Sequence, residues 1–156
     1  MRKVLFFLCL LCLGFVAGAQ VYPYRDIKLE KSSDYVETES MALSAATFLI
    51  TTPFVEVDMD RSGALFFLNN WMLGNKKYTF YLKGMVEDIS EDNNLLSLFI
   101  AAMAKYTLEH KVEAANPLTV DTNAAKMVLA YCDDPKNNFK LKKKYRKILE
   151  KNEATK

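Results

Sequence analysis

The chain contains one histidine, His110, and three cysteines, of which only Cys132 lies beyond residue 19. A Ser-His-acid or Cys-His arrangement would have to pass through His110, because the nucleophile needs a base within hydrogen-bond reach. His110 stands in the polar run "LEHK", which predicts a solvated surface residue. A closed zinc site typically takes four nitrogen or sulfur ligands, and one histidine with one cysteine cannot supply them. Cys132 follows the apolar stretch "MVLAY" and reads as a buried, inert thiol. The acids of "EVDMD" (Glu56, Asp58, Asp60) look like a fragment of a calcium loop, but they lack its turn glycine and its distal glutamate. Helix capping explains them better. The five glycines are scattered, so no phosphate-cradling loop is present. The sequence therefore assigns no catalytic residue, no metal ligand and no cofactor.

One stretch stands apart. "NNFKLKKKYRKILEKN", residues 137–152, holds seven Lys/Arg and one acid, Glu150. Within it, Lys140, Lys142, Lys143, Lys144, Arg146 and Lys147 are the candidate surface for a ligand or partner. Leu141, Tyr145, Ile148 and Leu149 recur at i, i+4, i+7 and i+8, the spacing of one helical face, and Phe139 can close over its start. Two readings follow. In the first, the amphipathic helix docks on its own protein by apolar burial. In the second, its lysines face an anionic membrane. The second gains weight because lysines in a first helical turn oppose the helix dipole.

Charge supports both readings. Residues 20–135 carry 10 basic and 17 acidic side chains, whereas residues 136–156 carry 9 and 2. The basic end can lie against its own acidic body. That acidic body argues against nucleic acid as a partner, since it would repel phosphates.

The elements that must position these residues are helical. Asp34 is expected to cap a first helix, with Glu37 completing a capping box. Val36, Leu43, Ala46, Thr47 and Ile50 would form its inner face, and Pro53 ends it. Asp58 or Asp60 caps the next helix, which runs to about Leu73 with Ala64, Leu65, Phe67, Leu68, Trp71 and Met72 inward. Arg61 falls off that stripe or at its edge, and Gly74 takes a left-handed position past its end. Residues 75–83 alternate apolar and polar, which predicts a short ribbon paired with "FVEV" (54–57) or an extended connection. Residues 92–114 form a helix apolar nearly all round over 95–104, which predicts a central position. Asn116 and Pro117 end it. Further helices are expected over 120–133 and 138–152. The fold class is all-α: a single bundle of about five helices over 34–152, preceded by an extended arm over 20–33.

The first residues, "MRKVLFFLCLLCLGFVAGAQ", have the form of a secretory signal peptide: a basic start, an apolar run and a small-residue cleavage site before Gln20. The apolar run is shorter than the roughly 20 residues of a membrane-spanning helix. Bulky Leu8 and Leu11 before Cys9 and Cys12 disfavour a lipid-attachment site. Residues 1–19 are therefore expected to direct export to the periplasm or beyond, leaving Cys132 as the sole cysteine.

Phe48 with Thr52-Pro53, Trp71-Met72 with Gly74, Tyr78-Thr79-Phe80, and Tyr131-Cys132 with Pro135 and Asn137-Asn138 form a pattern over roughly residues 40–140. In this pattern the chain resembles a group of small exported helical bacterial proteins of unknown function. The resemblance implies Gram-negative export and a helical fold, and it supplies no catalytic residue.

The function expected is a non-enzymatic exported interaction module that engages an envelope protein or surface. One alternative is a carrier of a small apolar ligand, held in a cavity lined by Phe67, Trp71, Phe99 and Met103. Another is an enzyme working with carboxylates alone, which would need two acids converging in a deep cleft.

Overall fold

The computed structural model describes residues 23–153, and the expected signal peptide, residues 1–19, lies outside them. The described residues form seven α-helices and no β-strand. These are α1 (Ser32–Glu37), α2 (Glu39–Thr51), α3 (Met59–Gly74), α4 (Met85–Ile89), α5 (Asn93–Glu109), α6 (Pro117–Asp133) and α7 (Lys143–Glu153). Short 3-10 turns occupy Tyr24–Asp26, Glu113–Ala115 and Pro135–Asn137. The fold is an all-α bundle.

Helix α5 has ten buried residues and packs against α2, α3, α4 and α6. It feeds both apolar clusters of the core. Leu95, Leu98, Phe99, Ala102, Met103 and Tyr106 join the cluster formed with α4, α6 and α7. Ala101, Ala104 and Leu108 join the other, formed with α2 and α3.

The first expected helix is divided at Thr38 into α1 and α2. Asp34 is not its cap. It lies inside α1, and its carboxylate reaches back to accept from the backbone N–H groups of Glu30 and Lys31, each at 2.8 Å. The inward face of α2 is also a step away from the expected one. Ala42, Ala45, Ala46 and Leu49 are buried, whereas Val36 is 62% exposed. Alanines allow close approach to Ala101 and Ala104 of α5, so small residues rather than the larger apolar ones set this contact.

Helix α3 is capped by Asp58, whose side chain accepts from Asp60 and Arg61 N–H groups at 2.8 and 3.1 Å. Its glycine works differently from expectation. Gly74 is still helical, its φ is not positive, and a Cβ there would overlap the Tyr35 ring. Gly74 is needed for that close approach. Gly84 does have a positive φ, 64°, which favours glycine, and it opens α4.

Arg61, expected off the apolar stripe, is buried. Its guanidinium donates to Leu49 O at 2.8 Å and to Thr52 O and Oγ1 at 3.2 and 2.9 Å, and it lies over the Phe54 ring. It thus satisfies the last carbonyls of α2, where the helix dipole favours a cation. Tyr131 Oη also donates to Thr52 O, at 2.8 Å, and Asn137 Nδ2 donates to Tyr131 O at 2.9 Å. The Phe54 N–H donates to Asn137 O at 2.8 Å. Residue 54 therefore bonds across to the 3-10 turn after α6, and residues 75–83 form a connection that is neither helix nor strand.

Helix α5 stops at Glu109 rather than near residue 114, and α6 begins at Pro117 rather than 120. Asn116 caps α6, accepting from Leu118 and Thr119 N–H groups at 3.0 and 3.4 Å. Proline at the first helical position needs no N–H partner and has its φ already set. The same "NP" pair that was expected to end one helix therefore starts the next.

Asp121 of α6 stands in a crevice against Thr79, Phe80 and Tyr81, and its buried Oδ1 has no hydrogen-bond partner. Burial pushes its carboxyl up to about 6. The folded chain therefore holds this proton more tightly than the unfolded chain does. Stability is greatest below the unfolded value near 4 and falls as pH rises through about 6. Asp121→Asn is expected to raise neutral-pH stability by about 1 kcal/mol, after discounting for the solvated part of the side chain. It should make little difference at pH 4. Urea unfolding at the two pH values reads this directly, and an equal effect at both would count against it.

Candidate functional site

Helix α7 begins at Lys143, five residues after the expected start. Asn138 has φ 51°, and residues 138–142 are not helical. Lys140 and Lys142 thus precede the helix, and only Lys143 and Lys144 lie in its first turn. Tyr145 and Leu149 are 2% and 0% exposed and join the cluster of α4, α5 and α6, with Leu141 and Ile148 packed beside them. The basic segment docks on the body by apolar burial, each large side chain contributing roughly 1.5–3 kcal/mol.

That docking sorts the six candidate cations. Lys144 and Arg146 flank the buried stripe and pair with acids on either side: Lys144 with Glu91 at 2.7 Å, and Arg146 with Asp133 at 2.6 Å. Lys142, just ahead of the helix, pairs with Asp92 at 2.8 Å. Asp92 serves two helices at once. One oxygen caps α5 by accepting from the Leu95 N–H at 3.2 Å, and the other takes Lys142. Burial raises its carboxyl, but hydrogen bonds from Lys142 and Leu95 outweigh this and hold it below the usual range. The hydrogen bond from Lys144 likewise lowers Glu91. The acids at the start of α5 therefore also answer the dipole objection to lysines at the start of α7. Exposed pairs of this kind are weak and salt-screened, so they orient the helix while the apolar stripe holds it.

Lys140, Lys143 and Lys147 remain. They are exposed and make no ion pair within the described residues. Lys143 and Lys147 are four residues apart, opposite Tyr145 and Leu149, so they share the outward face of α7. The structure thus divides the expected basic surface into three docking cations and three outward ones.

Elsewhere, Glu39 accepts from Lys77 at 2.8 Å and Lys111 at 2.5 Å. Burial pushes its carboxyl up, but these two ammonium groups prevail and hold it at about 2. Both are exposed cations, and the group bridges α2 to the two connecting segments. His110 is exposed and stacks on Tyr106 at 4.5 Å. Cys132 is half-buried, and burial pushes its thiol up to about 12, so it stays protonated and poorly nucleophilic at neutral pH. Among the described residues, no cluster of three or more His, Cys, Asp or Glu side chains is placed to hold a metal ion. Among the described residues, no helix is long and apolar enough to cross a membrane.

The four side chains expected around an internal ligand cavity are packed. Phe67, Trp71, Phe99 and Met103 are each at most 2% exposed, and Trp71 Nε1 donates to Tyr35 O at 2.9 Å. Two hollows lie at the surface on either side of Leu73, which is 74% exposed. One, of about 390 Å³, is bordered by Tyr24, Tyr35 and Phe66. The other, of about 630 Å³, lies between α3, Ile100 of α5 and the connection carrying Tyr78, Phe80 and Leu82. The alternation over 78–82 was visible in the sequence but pointed to strand pairing. Its role as the wall of a groove depends on where α3 places Leu73. No protein family, curated protein or solved structure was found to match this chain.

Proposed function

We propose that the protein is an exported, non-enzymatic helical module that contacts an anionic envelope surface through Lys140, Lys143 and Lys147. The observation that carries this reading is the division of labour in the basic segment. Tyr145 and Leu149 anchor it, Lys142, Lys144 and Arg146 are matched to acids of the body, and three lysines are left exposed with no ion pair among the described residues, while Glu150 on α7 pairs with Arg146. No large apolar side chain shares the outward face, so the contact is peripheral, electrostatic and screened by salt. Export and a Gram-negative envelope enter this proposal from residues 1–19 and from the resemblance described above.

The test is co-sedimentation of the chain from Gln20 with vesicles. Binding to phosphatidylglycerol-containing vesicles is expected at low ionic strength, with loss at high salt and no binding to pure phosphatidylcholine. Neutralising Lys140, Lys143 and Lys147 together to glutamine should weaken binding about 100-fold, from roughly a fivefold effect per lysine at an anionic surface. Binding that ignores lipid charge would overturn the proposal.

A further inference from the structure

We infer that the groove beside Leu73 binds a single-chain amphiphile with an anionic head, its acyl chain on the apolar floor and its head at Lys76. This site is separate from the lysine face of α7 and does not depend on it. Three observations carry the inference.

First, the groove is apolar where solvent would be expected. Leu73 and Leu82, 74% and 44% exposed, stand with Met72, Tyr78, Phe80 and Ile100 around about 630 Å³. That volume falls in the range of about 300–1,000 Å³ typical of small-molecule sites.

Second, its wall is held in place by contacts within the protein. Asn75 Oδ1 accepts from the Lys77 and Tyr78 N–H groups at 2.8 and 3.3 Å, and Lys77 is tied to Glu39. The rings of Tyr78 and Phe80 pack on Trp71 with centroids 6.0 and 6.3 Å away. A wall already ordered spares a ligand that entropic cost.

Third, the charge at the rim has one sign. None of the ten lining residues is acidic, and Lys76 is exposed and makes no ion pair within the described residues. Asn69 adds a neutral amide to the same lining. Apolar length next to a lone cation complements a carboxylate or phosphate carried on one hydrocarbon chain. A neutral apolar solute would leave Lys76 unused, and a cationic amphiphile would be repelled by it.

Trp71 is the sole tryptophan and lies directly behind this wall, so its fluorescence reports occupancy. The chain from Gln20 would be titrated with laurate, lysophosphatidylglycerol and dodecyltrimethylammonium, each below its micelle concentration, with calorimetry giving the stoichiometry. Saturable one-to-one binding of an anionic amphiphile is expected, with the cationic one at least tenfold weaker. Laurate alone would name a free fatty acid as the ligand, and lysophosphatidylglycerol alone a membrane-derived lipid. Leu73→Asp and Lys76→Glu, both at exposed positions, should each weaken binding at least tenfold while circular dichroism stays native. Neutralising Lys140, Lys143 and Lys147 should leave it unchanged, which separates this site from the proposed membrane contact. No saturable binding by either anion, equal binding of the cation, or indifference to both groove variants would overturn the inference.

Discussion

Arg61→Ala is expected to lower stability by about 3 kcal/mol, the loss typical when a buried, charge-assisted hydrogen-bond centre is emptied. The side chain ties Leu49 and Thr52 at the end of α2 to the start of α3, and Phe54 covers its cation. Without it, the carbonyl of Leu49 loses a charged donor inside the protein, whereas that of Thr52 keeps only Tyr131. Arg61→Lys retains the charge but not the planar fork that reaches three acceptors, so it should recover less than half of the loss. Thermal unfolding would register the alanine variant as a fall of roughly 6–12 °C. A loss below about 1 kcal/mol would mean that water replaces the guanidinium at no cost, and the role assigned to Arg61 would be wrong.

Leu149→Ala should cost a similar amount, roughly 2–5 kcal/mol, because Leu149 is wholly buried and the space it leaves can close only in part. The form of the effect matters as much as its size. Leu149 shares one cluster with Phe99 of α5 and Val128 of α6, so the whole unfolding transition should move together. If α7 were an appendage, the main transition would stay in place and only local helicity would be lost. The same packing bears on how the lysine face can be tested. Removing α7 would strip Tyr145 and Leu149 from the core, so a truncated chain would confound unfolding with lost surface contact. Substitution of the outward lysines avoids this.

Much of the architecture could be read from apolar spacing and punctuation. Pro53 marked the end of α2, Asp58 and the stripe ending at Met72 set α3 nearly as it stands, and the spacing from Leu141 to Leu149 revealed the docking face of α7. The misreadings have a common cause, which is that side-chain partners distant in sequence decided them. Arg61 looked to lie off the apolar stripe or at its edge because nothing nearby in the sequence shows the carbonyls at the end of α2 that it meets. Gly74 looked like a helix terminator because Tyr35, which requires its bare backbone, lies far back in the chain. "NP" at 116–117 stops one helix or starts another equally well by local rules, and the Asn116 cap made it a start. The short helix α4 has only Met85, Val86 and Ile89 to mark it, too few residues to establish a period.

The candidate surface was legible by composition but not by allocation. Six cations among the eight residues 140–147 announce a basic segment. Which of them are matched depends on Glu91, Asp92 and Asp133, and two of these read simply as acids at a helix start. The groove at Leu73 was hidden for a similar reason. An exposed leucine at the end of an apolar stripe gives no sign that a connection 78–82 will rise beside it.

The central claim is that contact with an anionic surface depends on where three lysines sit, and not on the charge of the chain as a whole. The most direct measurement compares vesicle affinity for two variants of equal net charge. One neutralises Lys140, Lys143 and Lys147 to glutamine, and the other neutralises Arg25, Lys28 and Lys31 in the segment ahead of α1. The first should bind phosphatidylglycerol-containing vesicles about 100-fold more weakly than the parent, and the second should remain within about threefold of it. Equal losses in the two variants, or no loss in the first, would contradict the account.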